Sequence, residues 1–127
     1  MPSPGMLKNH YAPRTRLKIF SREEISALPY EDNSNNAFLF FDAVTRNVWL
    51  ANQKLSTEKA GNNFKTGKGC FLIKTLSESG DMKEAAVNFF KSLHELDNAN
   101  ISCIYAQLAP EHGLGAAIND RLRRAGK

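Results

Sequence analysis

The alternation of apolar and polar positions divides the chain beyond residue 16 into short strands and amphipathic helices. Four apolar runs of strand length are bounded by turn residues, and two later segments repeat apolar side chains at spacings of three and four. The predicted strands cover residues 17–20, 37–42, 70–76 and 101–108. The predicted helices cover residues 82–96 and 114–125, and the apolar stripe on each indicates a face that packs against a sheet.

Capping residues mark where two helices begin. Ser21, with Glu24 three residues later, forms a capping box and predicts a short helix that Pro29 ends. Residues 30–36 are a polar turn in this interpretation. Asp81 caps the longer helix, again with an acidic residue three positions on. Both helices therefore follow predicted strands.

The region between residues 43 and 69 has weaker patterns. Residues 48–51 are predicted to return beside the strand at 37–42 as a hairpin through residues 45–47. Residues 52–69 are polar and contain glycine, and a structureless loop of that length is uncommon in a small domain. We expect part of this segment to form a short helix or to belong to a functional edge.

Strands that alternate with helices favour an α/β fold, because parallel neighbours need a crossover helix between them. We predict a small three-layer, Rossmann-like domain with a largely parallel sheet over residues 16–127. Residues 1–15 differ, since Pro2, Pro4 and Pro13 lie there together with Gly5. Each proline fixes its own φ and restricts the preceding residue, so this segment is predicted to be an extended, semi-rigid arm.

Composition narrows the class of protein. Of 127 residues, 42% are hydrophobic, and with the 8 glycines about 48% are apolar, which is an ordinary globular value. No apolar run approaches the length of a membrane span or a signal segment. We therefore expect a soluble, cytoplasmic chain without membrane contact. The 17 basic and 13 acidic residues leave a mild net charge of +4. Because the basic residues are spread along the chain, we do not expect direct tRNA binding.

The usual catalytic and metal-binding patterns are missing from the sequence. The three histidines and two cysteines do not have the spacing of zinc ligands, and Cys70 and Cys103 fit buried apolar positions better than a disulfide. We find no nucleophile elbow and no pair of acids spaced for general acid and base catalysis. We therefore predict no catalytic and no metal-ligating residue. Cations in a last helical turn suit the helix dipole, which accounts for Arg121, Arg123 and Arg124.

Two glycine-containing segments resemble phosphate-binding loops only in part. The segment at residues 61–69 lacks the spacing and the following helix of a phosphate loop. Gly113 and Gly115 open the last helix, but the third glycine of a dinucleotide fingerprint is absent. Two interpretations of this glycine pair stay open: their amides contact an anion, or they allow the helix to pack closely on the sheet.

The arm carries the most suggestive side chains. His10, Tyr11 and Arg14 lie within five residues and offer hydrogen-bond donors and an aromatic ring suited to phosphate and adenine.

Three separated motifs resemble one enzyme family. The letters SPGM at residues 3–6 and HYAP at 10–13 are similar to the interdomain linker of the long, two-domain form of L-threonylcarbamoyladenylate synthase, in the Sua/YciO/YrdC group. Residues 76–90 and the run GLGAAINDRL at 113–122 resemble the signature of its C-terminal domain. The resemblance runs from the first residues to the last, with no counterpart for residues 45–68.

The resemblance implies a reaction in which ATP, L-threonine and bicarbonate yield threonylcarbamoyl-adenylate and pyrophosphate, with magnesium, for threonylcarbamoyladenosine in tRNA. In that family the chemistry belongs to an N-terminal YrdC-like domain, which this chain is expected to lack. We therefore expect a chain that is inactive alone, binds no cofactor alone, and pairs with a YrdC-like domain in cis or in trans. The arm would cover the active site, with His10 and Tyr11 on the nucleotide and Arg14 on a phosphate.

Two alternatives stay open. The chain could be a free-standing module that binds a nucleotide or tRNA through the amides near Gly113 and the C-terminal arginines, which a salt titration would detect. It could also be an inert docking domain.

Overall fold

A five-stranded sheet forms the centre of the protein. The computed structural model describes residues 13–28, 35–53, 63–66 and 69–126. The strands are β1 (Arg16–Phe20), β2 (Asn35–Phe40), β3 (Asn63–Thr66), β4 (Gly69–Thr75) and β5 (Cys103–Gln107). Their order across the sheet is β1-β5-β2-β4-β3. The first four strands of this order are parallel to one another, and β3 runs antiparallel along β4.

Helices cover both faces of this sheet. They are a 3-10 helix (Arg22–Ala27), α1 (Ala43–Asn52), α2 (Met82–Asp97) and α3 (Leu114–Ala125). One face packs aliphatic side chains of the strands against α2 and α3. The other face packs an aromatic cluster against the 3-10 helix and α1, with Phe38 and Trp49 ring centroids 4.3 Å apart. The predicted three-layer α/β fold with a largely parallel sheet is confirmed.

The predicted strands and helix caps agree with the structure to within a few residues. The Ser21 N–H donates to the Glu24 carboxylate at 2.7 Å, although the helix that follows is 3-10 rather than α. The Asp81 carboxylate accepts from the Glu84 N–H at 3.1 Å and begins α2. These local signals succeed because each cap satisfies an amide that the first turn of a helix leaves without a partner.

The predicted hairpin at residues 45–51 is wrong, because these residues form helix α1. The Asp42 carboxylate accepts from the Thr45 N–H at 3.0 Å and caps this helix. Trp49 and Leu50 are then buried on the aromatic face, while the β-branched Val48 is 46% exposed on the outer side. Burial of a large aromatic side chain outweighs the weak strand preference of valine, and the parallel neighbours β2 and β4 need a crossover helix.

Several other predictions fall on residues outside the described ranges. These residues are 1–12 of the arm, 30–34 of the polar turn, and 54–62 with 67–68 of the glycine-containing segment. Within that last segment, residues 63–66 form the edge strand β3, and the expected short helix falls on residues outside the described ranges. Among the described helices, none has the length and apolarity that crossing a bilayer would require.

Candidate functional site

A cleft of about 330 Å³, lined by both polar and apolar residues, opens outside the carboxyl ends of β1, β5 and β2. The β2–β5 ladder ends at Leu39 and Ala106, whereas the β1–β5 ladder continues to Phe20 and Gln107. The chain leaves β2 toward α1 on one face and leaves β5 toward α3 on the other. Ligands of open α/β sheets bind where neighbouring strands diverge in this way.

Gln107 fixes the floor of this cleft. It is only 4% exposed, and its side-chain oxygen accepts from the Phe41 N–H at 2.7 Å. Its side-chain nitrogen donates to the Thr45 hydroxyl at 3.1 Å. One buried amide therefore joins the end of β5 to the end of β2 and to the first turn of α1.

Three acidic side chains lie in the wall of the cleft beside apolar residues. Glu23, Asp42 and Glu111 line it together with one cation, Arg22, whose guanidinium lies 3.8 Å from the Asp42 carboxylate. A net negative wall favours a cation or a hydrogen-bond donor over a phosphate. Within the described ranges, no three His, Cys, Asp or Glu side chains group as they would around a metal ion.

Asn119 holds the loop that borders the cleft. It is fully buried, and its amide both accepts from the Ala109 N–H and donates to the Ala109 carbonyl, each at 2.7 Å. The same nitrogen donates to Glu111 at 2.9 Å, and Arg123 donates to Glu111 at 2.8 Å. The hydrogen bonds from Arg123 and Asn119 lower the pKa of Glu111 from its ordinary value.

The glycine pair lies at the start of α3. A β-carbon on Gly115 would lie 2.0 Å from the Pro110 carbonyl oxygen, so only glycine allows this helix to approach the loop so closely. The Gly115 N–H already donates to the His112 carbonyl at 2.9 Å. This geometry accords with the packing interpretation for Gly115, and an anion contact at Gly113 and Gly115 stays a prediction.

The motif at residues 76–90 builds the turn between β4 and α2. The Ser77 hydroxyl donates to Glu84 at 2.6 Å and accepts from the Asp81 N–H at 2.8 Å. The Asn88 side chain donates to the Leu76 carbonyl at 2.9 Å. The polar residues that carry the family resemblance here serve local structure.

The end of the arm is attached to the C-terminus of α2. The Asp97 carboxylate accepts from the backbone N–H of Thr15 at 2.8 Å and of Arg14 at 3.2 Å. The Arg14 guanidinium donates to the Asn98 side chain at 3.0 Å. Partial burial raises the pKa of Asp97, but the hydrogen bonds from Thr15 and Arg14 outweigh burial and leave that pKa below its ordinary value.

The lowered pKa predicts how acid affects this attachment. A carboxylate whose pKa is depressed in the folded state adds stability above its unfolded pKa of about 4, and this contribution disappears as the pH falls through the folded value. We expect the wild-type chain to be more stable than Asp97→Asn at pH 6, and the difference to shrink below about pH 4. Urea unfolding of both proteins between pH 2.5 and pH 6 measures the difference in their unfolding free energies. A difference that stays constant down to pH 2.5 would contradict the prediction.

The predicted site residues do not converge in the described part of the chain. Arg14 lies at the amino end of β1, whereas Gly113 and Gly115 follow the carboxyl end of β5, and the length of a parallel strand separates the two ends. His10 and Tyr11 lie outside the described residues. Their roles, and a phosphate contact by Arg14, stay predictions.

Two of the C-terminal arginines have acidic partners. Arg123 pairs with Glu111, and Arg124 lies 3.1 Å from Asp120. The Arg121 guanidinium lies over the Phe90 ring, 5.2 Å from its centroid. These pairs reduce the positive charge that this end of the chain offers to a nucleic acid.

Sequence reasoning missed Gln107, Asn119 and Asp97. The first two are polar residues at otherwise apolar positions of a strand and a helix, and that signal could have identified them as buried hydrogen-bonding groups. Asp97 has no such signal, since its partners lie 82 residues away in sequence.

The fold and the motif positions define the class of this chain. The family model for the C-terminal domain of threonylcarbamoyl-AMP synthase matches residues 1–126, and the chain belongs to this family.

Relatives from one archaeon extend the comparison. The threonylcarbamoyl-AMP synthase of Pyrococcus abyssi is 29% identical over 126 residues, which are 97% of this chain and 31% of that protein. A crystal structure of P. abyssi Sua5 complexed with L-threonine matches 92% of this chain and 29% of its own, with a TM-score of 0.52 and 21% identity. The likeness to that structure shows the fold. The chain spans about a third of the length of these relatives.

Proposed function

We propose that this chain is the accessory part of a threonylcarbamoyl-AMP synthase: a compact domain that carries the active-site-covering arm. The complete enzyme would convert ATP, L-threonine and bicarbonate to threonylcarbamoyl-adenylate and pyrophosphate for tRNA modification. The observation that carries the proposal is the family match, which includes the arm and the domain together. Further support comes from the anchored base of the arm at Arg14 and Thr15.

Each part of the chain has a separate role in this proposal. The adenylate is a mixed anhydride, so a site that forms it gains from excluding water and from holding the reactants in line. A short, proline-containing arm loses little conformational entropy when it closes over such a site. His10 and Tyr11 would contact the nucleotide, and Arg14 a phosphate.

In this proposal the residues that contact the reacting atoms belong to a YrdC-like partner domain, in cis or in trans. ATP would bind chiefly there, with magnesium to offset phosphate charge. No step assigned to this chain involves the ion. The residues of this chain bind, orient and exclude water.

The proposal predicts the effect of one arm substitution. When the chain is added in trans to a YrdC-like domain of the same organism, adenylate formation should rise, because the arm shields the site. Tyr11→Ala should remove most of that gain, since the aromatic contact with the nucleotide is lost. Pyrophosphate release from ATP, measured with threonine and bicarbonate present, gives the rate.

The matched control is Tyr105→Phe, an aromatic change within the domain and away from the arm, which should preserve the gain. A Tyr11→Ala chain that stimulates the partner as well as the wild type does would count against the arm. Turnover by the wild-type chain without any partner would count against the division of roles.

A further inference from the structure

We propose that a groove between α2 and α3 is the surface through which this domain docks on the YrdC-like domain. The identity of the partner rests on the proposed function above, whereas the surface itself rests on the exposure, shape and charge of the two helices. We call this surface the groove face. It is lined by Ala86 and Phe90 of α2 and by Leu114, Ala117 and Arg121 of α3.

Large apolar side chains are exposed on and beside the groove face. Phe90 is 42% exposed and Leu114 is 47% exposed, and both line the groove. Val87, one helical turn before Phe90, is 79% exposed. Single exposed apolar residues are ordinary, but neighbouring ones mark an interaction surface.

The groove has the size of one large side chain. Its volume is about 130 Å³, and a cavity of about 150 Å³ is large enough to bind benzene. The Arg121 guanidinium lies over the Phe90 ring, 5.2 Å from its centroid, and forms one wall. An apolar pocket bordered by an aromatic ring and an arginine is typical of the centre of a protein interface.

The rim of the groove face is positive. Lys83 and Lys91 are exposed and lie one helical turn before and after Val87, so the three side chains share one face of α2. Arg121 adds a cation from α3. A partner that covers this face must therefore bring negative charge to its edges.

The acidic side chains of the same two helices already have partners. Glu84 accepts from the Ser77 hydroxyl at 2.6 Å, and Asp120 pairs with Arg124 at 3.1 Å. A second copy of the chain would place like charges opposite each other across a symmetric interface, which disfavours self-association. The groove face instead fits a different surface, with carboxylates around a projecting apolar side chain.

The extent of the relatives indicates which partner supplies that surface. The chain covers 31% of the P. abyssi synthase, so more than two thirds of that protein lies outside the match. Domains of one protein meet over about 600–1,500 Å², and such interfaces are more polar than obligate ones. A small apolar centre with a charged rim has this character. The YrdC-like domain is therefore the occupant, and its docking surface should be apolar at the centre and acidic at the edge.

The first experiment locates the contact. When the YrdC-like domain of the same organism is titrated into the isotope-labelled chain, the NMR shift changes should concentrate at residues 83–91 and 114–121. Leu114→Asp should raise the Kd about tenfold or more, because a carboxylate would replace an apolar contact and repel the acidic edge. This variant should fold, since position 114 is in the first turn of α3, where negative charge suits the helix dipole.

Val44→Asp is the matched control for this variant. Val44 is 59% exposed and lies in the first turn of α1, on the opposite face of the sheet. The substitution therefore introduces the same charge at an equivalent helical position, and it should leave the Kd nearly unchanged. Equal effects of Leu114→Asp and Val44→Asp would overturn the groove face as the docking surface.

The second experiment tests the charge of the rim. Arg121→Glu should weaken binding about fivefold or more, and added salt should weaken binding of the wild type. Lys18→Glu makes the same change in net charge on the edge strand β1 and should have little effect. Binding that neither salt nor Arg121→Glu weakens would overturn the acidic surface assigned to the partner.

Two further outcomes distinguish this proposal from the proposed function. If the chain raises pyrophosphate release and Leu114→Asp binds as tightly as the wild type, the proposed function stands and the groove face is wrong. If the wild type neither binds the YrdC-like domain nor raises pyrophosphate release, the proposed function fails and the assigned partner with it. Sedimentation of the chain alone that shows a dimer, lost in Leu114→Asp, would assign the groove face to a second copy and overturn the proposal.

Discussion

Replacing Gly115 with alanine should lower the unfolding free energy by about 3 kcal/mol, the upper range for overpacking a closely packed site. The added β-carbon would lie 2.0 Å from the Pro110 carbonyl oxygen and 2.8 Å from the Met82 methyl group. Met82 can change rotamer, but the carbonyl belongs to a loop that Asn119 holds through Ala109. The helix or the loop must therefore move. Thermal unfolding should show a decrease in melting temperature of roughly 10 °C.

Ala117→Ser is the control for this substitution. Ala117 is exposed on the same helix, so the extra hydroxyl should change stability by less than about 0.5 kcal/mol. If Gly115→Ala has the same melting temperature as the wild type, the loop can move without loss of stability. The close approach to Pro110 would then not explain why glycine occupies position 115.

Replacing Asn119 with leucine should cost roughly 2–6 kcal/mol, because two buried polar groups lose their partner and each costs about 1–3 kcal/mol. The substitution keeps a similar volume but leaves both the N–H and the carbonyl of Ala109 without their side-chain partner. Glu111 also loses the Asn119 donor and retains Arg123. Urea unfolding measures the loss. The control is Asp120→Asn at the exposed neighbouring position, whose exposed ion pair with Arg124 contributes less than about 1 kcal/mol.

The substitution Asn119→Asp removes the side-chain donor and keeps a side-chain acceptor, so it tests the two hydrogen bonds separately. The new carboxyl could still accept from the Ala109 N–H, but when ionised it would face the Ala109 carbonyl and the Glu111 carboxylate. Its pKa should therefore rise, and the variant should recover stability relative to the wild type as the pH falls, since the protonated form can donate. If Asn119→Leu is as stable as the wild type at neutral pH, the hydrogen bonds from Asn119 to Ala109 do not stabilise the loop.

These two positions show where prediction from the sequence succeeds and where it stops. The sequence predicts that α3 begins near Gly113 and carries an apolar stripe, because both signals are local. It left open whether Gly115 packs or binds an anion, since the distance to the Pro110 carbonyl depends on how the helix docks. Asn119 appears polar in the sequence, and only the fold shows that its partner is the backbone of Ala109, ten residues earlier.

Helix α1 is a case in which the prediction from the sequence was wrong. Residues 48–51 were predicted to be a strand, yet Val48 is 46% exposed on a helix whose opposite side buries Trp49. The decisive contact, Trp49 against Phe38, joins two elements, and no local pattern records it. Tertiary packing therefore overrode a weak local preference.

The sequence by itself determined strands β1, β2, β4 and β5, the capped starts of the 3-10 helix and of α2, the apolar stripe of α3 and the three-layer α/β class, because apolar periodicity and capping act over a few residues. The tertiary structure decided the helical state of residues 43–52, the Gln107 bridge across the cleft and the attachment of Arg14 and Thr15 to Asp97. Each of these depends on hydrogen bonds or packing between residues far apart in the chain, and such partners meet only when the sheet has assembled.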